Sequence, residues 1–407
     1  MTGPASASAP PRLARRVDAI EPFWVMECAK AADVIARSPA CDPALGGEPM
    51  IYLNIGEPDF TAAARVQAAA QRCIADGRTQ YTQATGLPAL REAIAQWYAT
   101  RWGVVVDPAR IVVTAGASAA LQLLTLALVD AGDEILMPDP CYPCNRHFVT
   151  AAGGTARLLP AGPAQRFQLD AESVERAWGP ATRGVMLASP SNPTGTSIAF
   201  DELERIVQTV RRRGGLTIVD EIYLGLSDDD SALGPARSAL ALGDDVLVIN
   251  SFSKYFGMTG WRLGWLVLPP ALVAPVEKLA QNLYICASSV AQHAALECFH
   301  PETLAECERR RAVFRERRHA VVPALEALGL PVPVRPDGAF YVWFDTRAHA
   351  PDSWSFCLDM MERAHVALTP GRDFGHADTA RYARLSYASS LAHLENALAR
   401  LQRVLQR

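Results

Sequence analysis

The sequence predicts an α/β fold: a large domain with a mostly parallel, doubly wound sheet of seven strands, and a smaller α+β domain. Two observations carry this prediction. Short apolar segments alternate with helical patterns through the middle of the chain, as strands and helices do around a parallel sheet. The chain has 407 residues, 50% hydrophobic and 20% charged, so it is globular and long enough for more than one core.

Composition and charge argue against several classes of protein. The formal net charge is −4 and the pI is near 6.1, so neither nucleic acid nor an anionic membrane is expected as a partner. No apolar run reaches the ~18 residues of a membrane span. The first eleven residues lack the basic start and apolar core of a signal peptide, and we expect a loose tail. Nine cysteines without regular spacing predict reduced thiols in the cytoplasm.

The N-terminal part of the chain is expected to lead into the large sheet. A short strand at 51–55 feeds the polar turn Gly56-Glu-Pro-Asp-Phe60, and a polar stretch further on contains Tyr81. Helical patterns cover three segments: 25–36, 62–76 and 88–102.

Seven apolar segments are predicted to form the large sheet: 111–113, 134–137, 155–159, 184–188, 216–220, 246–251 and 263–267. Helical stretches such as 200–213 separate most of them, which favours parallel pairing. The first strand is followed by a turn of small residues at 114–118 and by a helix at 119–129 that is apolar nearly all round. This arrangement favours a bound anion, because free N–H groups and the helix dipole point at it.

The C-terminal part predicts the smaller domain. A long helix begins near Ala271, and an arginine-rich outer helix is expected at 301–328. Strands and helices then alternate over four segments: 339–344, 352–365, 381–388 and 391–406. The expected division is an N-terminal arm that joins the small domain, a large domain and a small domain, with bounds 1–48, 49–295 and 296–407.

The motif Cys141-Tyr-Pro-Cys144 has three interpretations. A zinc site would need a second pair at a suitable spacing, which the sequence lacks, so no metal is expected. A thioredoxin-like role would need the motif to open a helix, whereas Pro140 and Pro143 predict a turn. The interpretation that we adopt is a coincidental spacing.

Several polar side chains directly follow predicted strands, at the edge where open α/β sheets place their chemistry. Each has an ordinary explanation by itself. Ser191-Asn-Pro-Thr-Gly195 is a good turn, Asp220 could be a capping acid beside a core Tyr223, and Lys254 and Arg262 could lie on the surface. Their order along one chain makes chance a poor explanation.

The combination resembles the class I/II aminotransferases, which are fold-type-I enzymes of pyridoxal 5′-phosphate (PLP). The resemblance covers about residues 50–390 and rests on four motifs: S-N-P-T-G at 191–195, D-x-x-Y at 220–223, S-x-S-K…G-x-x-G-W-R-x-G-W at 251–265 and R-L-S-Y at 384–387. It implies a cytoplasmic homodimer in amino-acid metabolism and biosynthesis. The implied reaction transfers an amino group from an amino acid to a 2-oxo acid by a ping-pong mechanism through a Lys254 Schiff base.

The resemblance also implies roles around the cofactor ring. Lys254 would form the imine and then act as general base. Asp220 would face the ring nitrogen, because a buried carboxylate keeps that nitrogen protonated. Tyr223 and Asn192 would hold the phenolate oxygen, and Tyr142 would stack on the ring.

The remaining implied roles concern the phosphate and the substrate. The phosphate would be held by Arg262, Ser251, Ser118 and the Gly116–Ala117 turn. Tyr81, with Ser288 as a second candidate, would reach the phosphate of the neighbouring subunit, so the active site would be shared. Arg384, Asn192 and the Gly56 N–H would bind the substrate, Arg384 by a bidentate clamp on the α-carboxylate.

Two alternative functions remain open from the sequence alone. A PLP-dependent lyase or synthase, such as a β-eliminating enzyme or an aminocyclopropane-type synthase, would share all these residues. A ligand-sensing module of a transcription regulator would need a DNA-binding domain of ~60–80 residues ahead of this fold, whereas about 45 residues precede it without a helix-turn-helix pattern.

Two finer expectations complete the sequence analysis. The Asp139–Pro140 and Asn192–Pro193 peptide bonds are candidates for the cis form, because both lie in tight turns near the expected ring. The amino donor is expected to be neutral and apolar. Ser118 stands where aspartate-specific members often carry a lysine, and the segments expected to cover the pocket, 23–26 and 284–285, are aromatic and aliphatic.

Overall fold

The structure is a computed structural model that describes residues 11–229 and 231–406. Residues 1–10, on which nearly all of the expected tail falls, lie outside the described residues. The helices are α1 (Arg15–Asp18), α2 (Trp24–Ala36), α3 (Ala64–Ala75), α4 (Pro88–Trp102), α5 (Gly116–Leu128), α6 (Pro143–Ala152), α7 (Ala171–Ala177), α8 (Phe200–Arg212), α9 (Pro270–Leu283), α10 (Ser289–Ala295), α11 (Pro301–Ala327), α12 (Ser353–Arg363) and α13 (Leu391–Leu405). Throughout the two described ranges, none of these helices has the length and hydrophobicity that a membrane crossing requires.

The strands form one large sheet and two small ones. They are β1 (Ile51–Tyr52), β2 (Ile111–Thr114), β3 (Glu134–Asp139), β4 (Thr155–Pro160), β5 (Thr182–Ala188), β6 (Leu216–Asp220), β7 (Leu247–Ser251), β8 (Gly264–Val267), β9 (Tyr341–Asp345), β10 (Val366–Ala367), β11 (Thr369–Pro370) and β12 (Tyr382–Ser386). The large sheet has seven strands in the order β2-β8-β7-β6-β5-β3-β4. The predicted mostly parallel, seven-stranded sheet is therefore confirmed.

One strand of the large sheet runs against its neighbours. β8 is antiparallel to β7 and to β2, whereas the other neighbouring strands pair in parallel. The chain between β7 and β8 contains no α-helix of its own, and a parallel pair would need a long crossover, usually helical. The chain therefore reverses direction, and both ends of this connection lie at the same edge of the sheet.

The smaller sheets are built mainly from the C-terminal part of the chain. β12 pairs antiparallel with both β9 and β11, while β1 pairs in parallel with β10. The short strand at residues 51–52 thus bonds to Val366–Ala367 and not to the large sheet. The division of the chain at residues 48 and 295 stays a prediction.

Two local predictions from the sequence are wrong. Pro143 does not hold its segment in a turn, because α6 begins at this residue. Proline fits the first position of a helix, where its missing N–H would have no intrahelical partner. The arginines of α11 are not all on an outer surface either, because Arg317 and Arg318 are 5% and 7% exposed.

Arg317 is buried because it binds the polar turn that follows β1. Its guanidinium makes two parallel hydrogen bonds of 2.7 Å each to the Asp59 carboxylate. The Phe60 ring lies 5.2 Å from the guanidinium carbons of both Arg310 and Arg317. A bidentate ion pair with an adjacent cation–π contact fixes orientation as well as distance. Helix α11 therefore holds the turn at residues 56–60 in place.

Candidate active site

The carboxyl ends of β6 and β7 open into a cleft of about 540 Å³ between the large sheet and the small-domain strands. Apart from the second candidate Ser288, thirteen site residues are predicted from the sequence, and eleven of them line this cleft: Gly56, Ala117, Ser118, Tyr142, Asn192, Asp220, Tyr223, Ser251, Lys254, Arg262 and Arg384. They come from segments far apart in the chain, so the fold brings them together. This convergence makes the cleft the candidate active site.

The other two predicted residues do not line the cleft: Gly116 lies beside it, and Tyr81 lies outside it. Gly116 is buried under the cleft floor, and a Cβ added to it would lie 2.5 Å from the Arg262 Nη2. Tyr81 is 77% exposed and does not line the cleft of its own chain. Its neighbours are held firmly, because the Ser289 hydroxyl donates to the Gln80 carbonyl and the Gln292 amide donates to Thr82 Oγ1.

An anion cradle forms where α5 begins. Ala117 and Ser118, in the first turn of the helix, line the cleft together with Arg262. Arg262 has a left-handed backbone with φ of 53°, and its Nη1 donates to the Thr259 carbonyl at 2.9 Å. A guanidinium beside free N–H groups at a helix start is a favourable site for a phosphate.

The two serines before Lys254 have different positions in this cradle. Ser251 Oγ lies 3.0 Å from the Leu263 carbonyl and 2.9 Å from Ser253 Oγ, so its single proton is already shared within the protein. Ser253 also lines the cleft, although the sequence analysis did not include it among the site residues. Its position as the second hydroxyl of the S-x-S-K motif is the sequence feature that could have identified it.

Asp220 supplies a buried carboxylate at the end of β6. It accepts a hydrogen bond of 2.9 Å from the Ile222 N–H. Burial raises the pKa of Asp220 to about 6, although the Ile222 N–H and the Lys254 charge oppose the shift. A cationic group placed against this carboxylate would restore its ordinary acidity. The site is therefore suited to hold a protonated ring nitrogen.

Lys254 supplies an amine to the same cleft. Its Nζ donates to the Gly56 carbonyl at 2.6 Å. Burial lowers the pKa of Lys254 to about 8, with Arg384 and Arg262 adding to the shift and Glu57 and Asp220 opposing it. An amine that is partly neutral near pH 8 can act as a nucleophile and as a proton acceptor.

Arg384, on β12, lines the cleft and is 2% exposed. Its two terminal nitrogens donate to Asn192 Oδ1 at 2.8 Å and to the Asn54 carbonyl at 2.6 Å. Because the Asn192 oxygen is taken, its NH₂ group is the end available to a ligand. Tyr223 also lines the cleft, with its hydroxyl 2.7 Å from that of Tyr341.

Tyr142 presents its ring to the cleft and is packed edge-to-face by Phe23, with the centroids 6.1 Å apart.

The cysteines on either side of Tyr142, Cys141 and Cys144, are both free. Burial raises the pKa of Cys141 to about 12 and also raises that of Cys144. Neither thiol is therefore a ready thiolate nucleophile. Across residues 11–229 and 231–406, no three His, Cys, Asp or Glu side chains are grouped as a metal ion would require.

The cleft wall includes residues beyond the predicted set. Phe23, Val25 and Met26 line it as expected for segment 23–26, whereas Tyr284 and Ile285 do not. The structure adds a further group of lining residues that the sequence analysis missed: Ile55, Glu57, Leu121, Ile222, Ser253 and Tyr341. Most of them neighbour a predicted residue in sequence. Tyr341 does not, and it ends the G-A-F-Y string on a strand of the smaller domain.

Both predicted cis peptide bonds are confirmed. Asp139–Pro140 and Asn192–Pro193 are cis, and Ser189–Pro190, which the sequence analysis did not propose, is cis as well.

The donor set of the cleft fits PLP, the cofactor that the sequence resemblance implies. The cradle at α5 and Arg262 offers cationic and N–H donors to a phosphate, and Gly116 leaves room for the Arg262 guanidinium. Asp220 offers a buried acceptor, Tyr223 and Asn192 offer neutral donors, and Lys254 offers the amine. These are the groups that the phosphate, ring nitrogen, phenolate oxygen and aldehyde of the cofactor need.

Comparisons with known proteins agree with this chemistry. The sequence matches the family model for aminotransferase class I and II over residues 48–401. It is 37% identical over 383 residues to a valine–pyruvate aminotransferase of Mycobacterium tuberculosis, covering 94% of this chain and 96% of that protein. It is 34% identical over 400 residues to an aspartate/prephenate aminotransferase of Thermus thermophilus, covering 97% of this chain and 99% of that one.

Solved structures show the same similarity. A crystal structure of an aminotransferase from Mycobacterium tuberculosis superimposes with a TM-score of 0.92 at 36% identity, covering 98% of this chain and all of that one. An aspartate aminotransferase from Thermus thermophilus with maleate gives a TM-score of 0.89 at 34% identity, covering 97% of this chain and all of that one.

The environment of Lys254 makes a prediction for the cofactor-free protein. The neutral amine reacts with acylating reagents, so a pKa lowered to about 8 means that Lys254 becomes reactive as the pH rises from about 7 to 9. Labelling with a limiting acylating reagent across this range, read by peptide mass spectrometry, should give a midpoint near 8 for Lys254. The exposed Lys30 and Lys278 are internal references. A Lys254 profile that parallels both references would contradict the assigned environment.

Proposed function

The chain belongs to the class I and II aminotransferases, whose members use PLP, and we propose that its amino donor is a neutral, apolar amino acid. The reaction class itself follows from the family: an amino group moves from an amino acid to a 2-oxo acid. One observation carries the proposal on the donor. The basic residues among the described residues that line the cleft are Lys254, Arg262 and Arg384, and each has a role that every donor requires.

The proposed roles assign each end of the cofactor to a group of residues. Arg262, Ser118, Ser251 and the Gly116–Ala117 turn hold its phosphate, and Ser251 does so by turning its proton from the Leu263 carbonyl to the phosphate. Asp220 holds its ring nitrogen, Asn192 and Tyr223 hold its phenolate oxygen, and Tyr142 covers its face. When bound, PLP withdraws electrons from the substrate α-carbon and carries the amino group between the two half-reactions.

Lys254 is the proposed catalytic base. The cleft geometry places its amine against the Gly56 carbonyl, at the end of the cleft where Glu57 and Ile55 form the rim. With a pKa lowered to about 8, the amine can take the proton from the substrate α-carbon and return it to another atom. Arg384 orients the substrate by its α-carboxylate, so the α-carbon faces the amine.

The walls around the substrate side chain support an apolar donor. Phe23, Val25, Met26, Leu121 and Ile222 line the cleft. A second substrate carboxylate would be buried there without a cation of its own. The loss of its hydration would weaken the binding of a dicarboxylate donor. Ser118 offers a hydroxyl where a lysine would be needed, and Glu57 adds a negative charge to the rim. The similarity to a valine–pyruvate aminotransferase supports the same choice.

We further propose a cytoplasmic homodimer with shared active sites. Tyr81 is 77% exposed on a segment that α10 holds in place. Beside the cleft, an open hollow of about 640 Å³ is lined by residues of the 57–61 turn and by Ser288. The helix that holds the Tyr81 segment also lines this hollow, and an exposed tyrosine so placed suits a contact between two copies. The nine free cysteines support a reducing compartment.

The assembly is tested by its mass and by Tyr81. Light scattering should give twice the chain mass of 44.0 kDa. Tyr81→Phe should leave this mass unchanged and weaken cofactor binding by roughly tenfold, the effect of losing a hydrogen bond to a charged group. A monomer with full activity would contradict the shared site.

Donor choice is tested by steady-state kinetics. Valine, leucine, alanine, methionine, phenylalanine and aspartate should each be measured with pyruvate and with 2-oxoglutarate. We expect the best apolar donor to exceed aspartate in kcat/KM by roughly a hundredfold, since a buried unpaired carboxylate is costly. An aspartate value as high as those of the apolar donors would overturn the proposal.

Incubation with amino acid alone distinguishes an aminotransferase from the alternative lyase, because a lyase would release ammonia catalytically.

Ser118→Lys should move the preference toward aspartate. A lysine at this position supplies the missing cation, and a hydrogen bond to a charged group is worth roughly a ten- to hundredfold change. The ratio of kcat/KM for aspartate to that for valine is the quantity to measure, because a common loss of cofactor cancels in it. Ser118→Ala is the matched control and should leave this ratio unchanged. A ratio that moves equally in both variants would exclude the charge as the cause.

A further inference from the structure

Tyr341 contacts three of the groups that surround the cleft. It is the first residue of β9 and is 1% exposed. Its hydroxyl lies 2.7 Å from the Tyr223 hydroxyl. Its ring lies 4.5 Å from the Arg384 guanidinium carbon. A Cβ added to Gly56 would lie 2.4 Å from its hydroxyl oxygen, so the Gly56 backbone packs directly on that hydroxyl.

We propose that Tyr341 is a positioning residue with two separable functions: its hydroxyl directs the Tyr223 proton into the cleft, and its ring holds the Arg384 guanidinium. This inference rests on the proposed roles of Tyr223 toward the cofactor and of Arg384 toward the substrate. It concerns how those two side chains are kept in their working orientation.

The hydroxyl function follows from proton counting. The pair of tyrosine hydroxyls shares one hydrogen bond, so one of the two protons is left over. Burial raises the pKa values of Tyr223 and Tyr341, so both hydroxyls stay protonated. If Tyr341 donates to Tyr223, the Tyr223 proton is free for an acceptor in the cleft. A donor that also accepts a hydrogen bond is polarised and binds its own acceptor more strongly.

The surroundings favour this direction when an anionic oxygen occupies the cleft. Among the described residues, the Tyr341 hydroxyl has its one hydrogen bond with Tyr223. Its proton therefore has a single protein acceptor, whereas Tyr223 also lines the cleft. An anionic acceptor binds a hydroxyl more strongly than a neutral one does. The chain of donation then runs from Tyr341 to Tyr223 and on to the ligand.

The ring function follows from the register of the small sheet. Tyr341 is paired with Ser386, so Arg384 lies two residues along β12 on the same face. The Arg384 guanidinium carbon lies 4.5 Å from the Tyr341 ring centre and 5.0 Å from that of Phe374. Aromatic rings attract a guanidinium and restrict its plane. Hydrogen bonds to Asn192 and Asn54 then fix its rotation within that plane.

Three variants separate the two functions from simple packing. Tyr341→Phe removes the hydroxyl and keeps the ring, while Tyr341→Leu removes both. Tyr387→Phe is the matched control: Tyr387 is also 1% exposed, and its hydroxyl donates to the Ala339 carbonyl at 3.3 Å outside the cleft. Thermal unfolding of each variant shows whether it is folded at the assay temperature.

The hydroxyl is tested by a pH titration of the cofactor absorbance, which is independent of turnover. Without Tyr341 as a donor, Tyr223 neutralises less of the phenolate charge, and that charge holds the neighbouring proton on the Lys254 nitrogen more tightly. Tyr341→Phe and Tyr341→Leu should therefore raise the absorbance midpoint by about half a pH unit. Tyr387→Phe should leave it unchanged. A Tyr341→Phe midpoint equal to that of the unmodified protein would overturn the hydroxyl function.

The ring is tested by separating KM from kcat. Tyr341→Phe should keep the donor KM within about twofold, because its ring still supports Arg384, whereas Tyr341→Leu should raise KM by roughly three- to tenfold. Equal KM values for the two variants would overturn the ring function.

Failure of the proposed function would give a different result: a purified protein that binds no PLP would show no visible absorbance to titrate. In that case both the inference and the proposed roles would be wrong.

Discussion

The structure depends on keeping a partly buried amine and a buried carboxylate in one cleft. Burial shifts both groups toward their neutral forms, lowering the pKa of Lys254 to about 8 and raising that of Asp220 to about 6. For Lys254 this is what the chemistry needs, because a neutral amine is the reactive form. For Asp220 it is a cost that the protonated ring nitrogen of PLP would offset under the proposed roles. The same desolvation would thus activate the proposed base and favour binding of the cofactor.

Because the chain reverses direction between β7 and β8, one short segment supplies both Lys254 and Arg262 to the cleft. Lys254 follows β7, and Arg262 precedes β8, which returns antiparallel beside it. The two side chains therefore reach the same edge of the sheet although eight residues separate them in sequence. Gly264 is packed against the start of α5, where a Cβ would lie 2.9 Å from the Ala117 nitrogen. This close approach sets the Arg262 guanidinium beside the helix N-terminus, which a helical crossover to a parallel strand would not do.

The sequence was sufficient to predict the sheet and the residues at its strand ends, but it could not show contacts between distant segments. Apolar runs and the polar residues after them are local patterns, and Asp220 and Lys254 were found in that way. The burial of Arg317 depends on Asp59, which is 258 residues away in the chain. Tyr341 belongs to the cleft only because the small sheet places it against Tyr223. Contacts between distant segments leave no periodic pattern in the sequence. Side chains that support the reactive groups through such contacts therefore cannot be predicted from the sequence alone.

Donor specificity has to arise outside the residues shared by the reaction class. The groups that bind the α-carboxylate and move the α-proton contact atoms that all amino acids have, so they cannot distinguish one donor from another. Under the proposed function, the side chain of the donor instead meets the start of α2, where the Asp373 carboxylate accepts hydrogen bonds of 3.1 Å each from the Trp24 and Val25 N–H groups. The Arg372 guanidinium packs on the rings of both Trp24 and Trp354. These contacts tie α2 to the small domain, so the apolar wall of the cleft is positioned by the same part of the chain that carries Arg384, the proposed carboxylate clamp. Selection of the side chain and binding of the carboxylate are therefore mechanically linked, although no residue serves both.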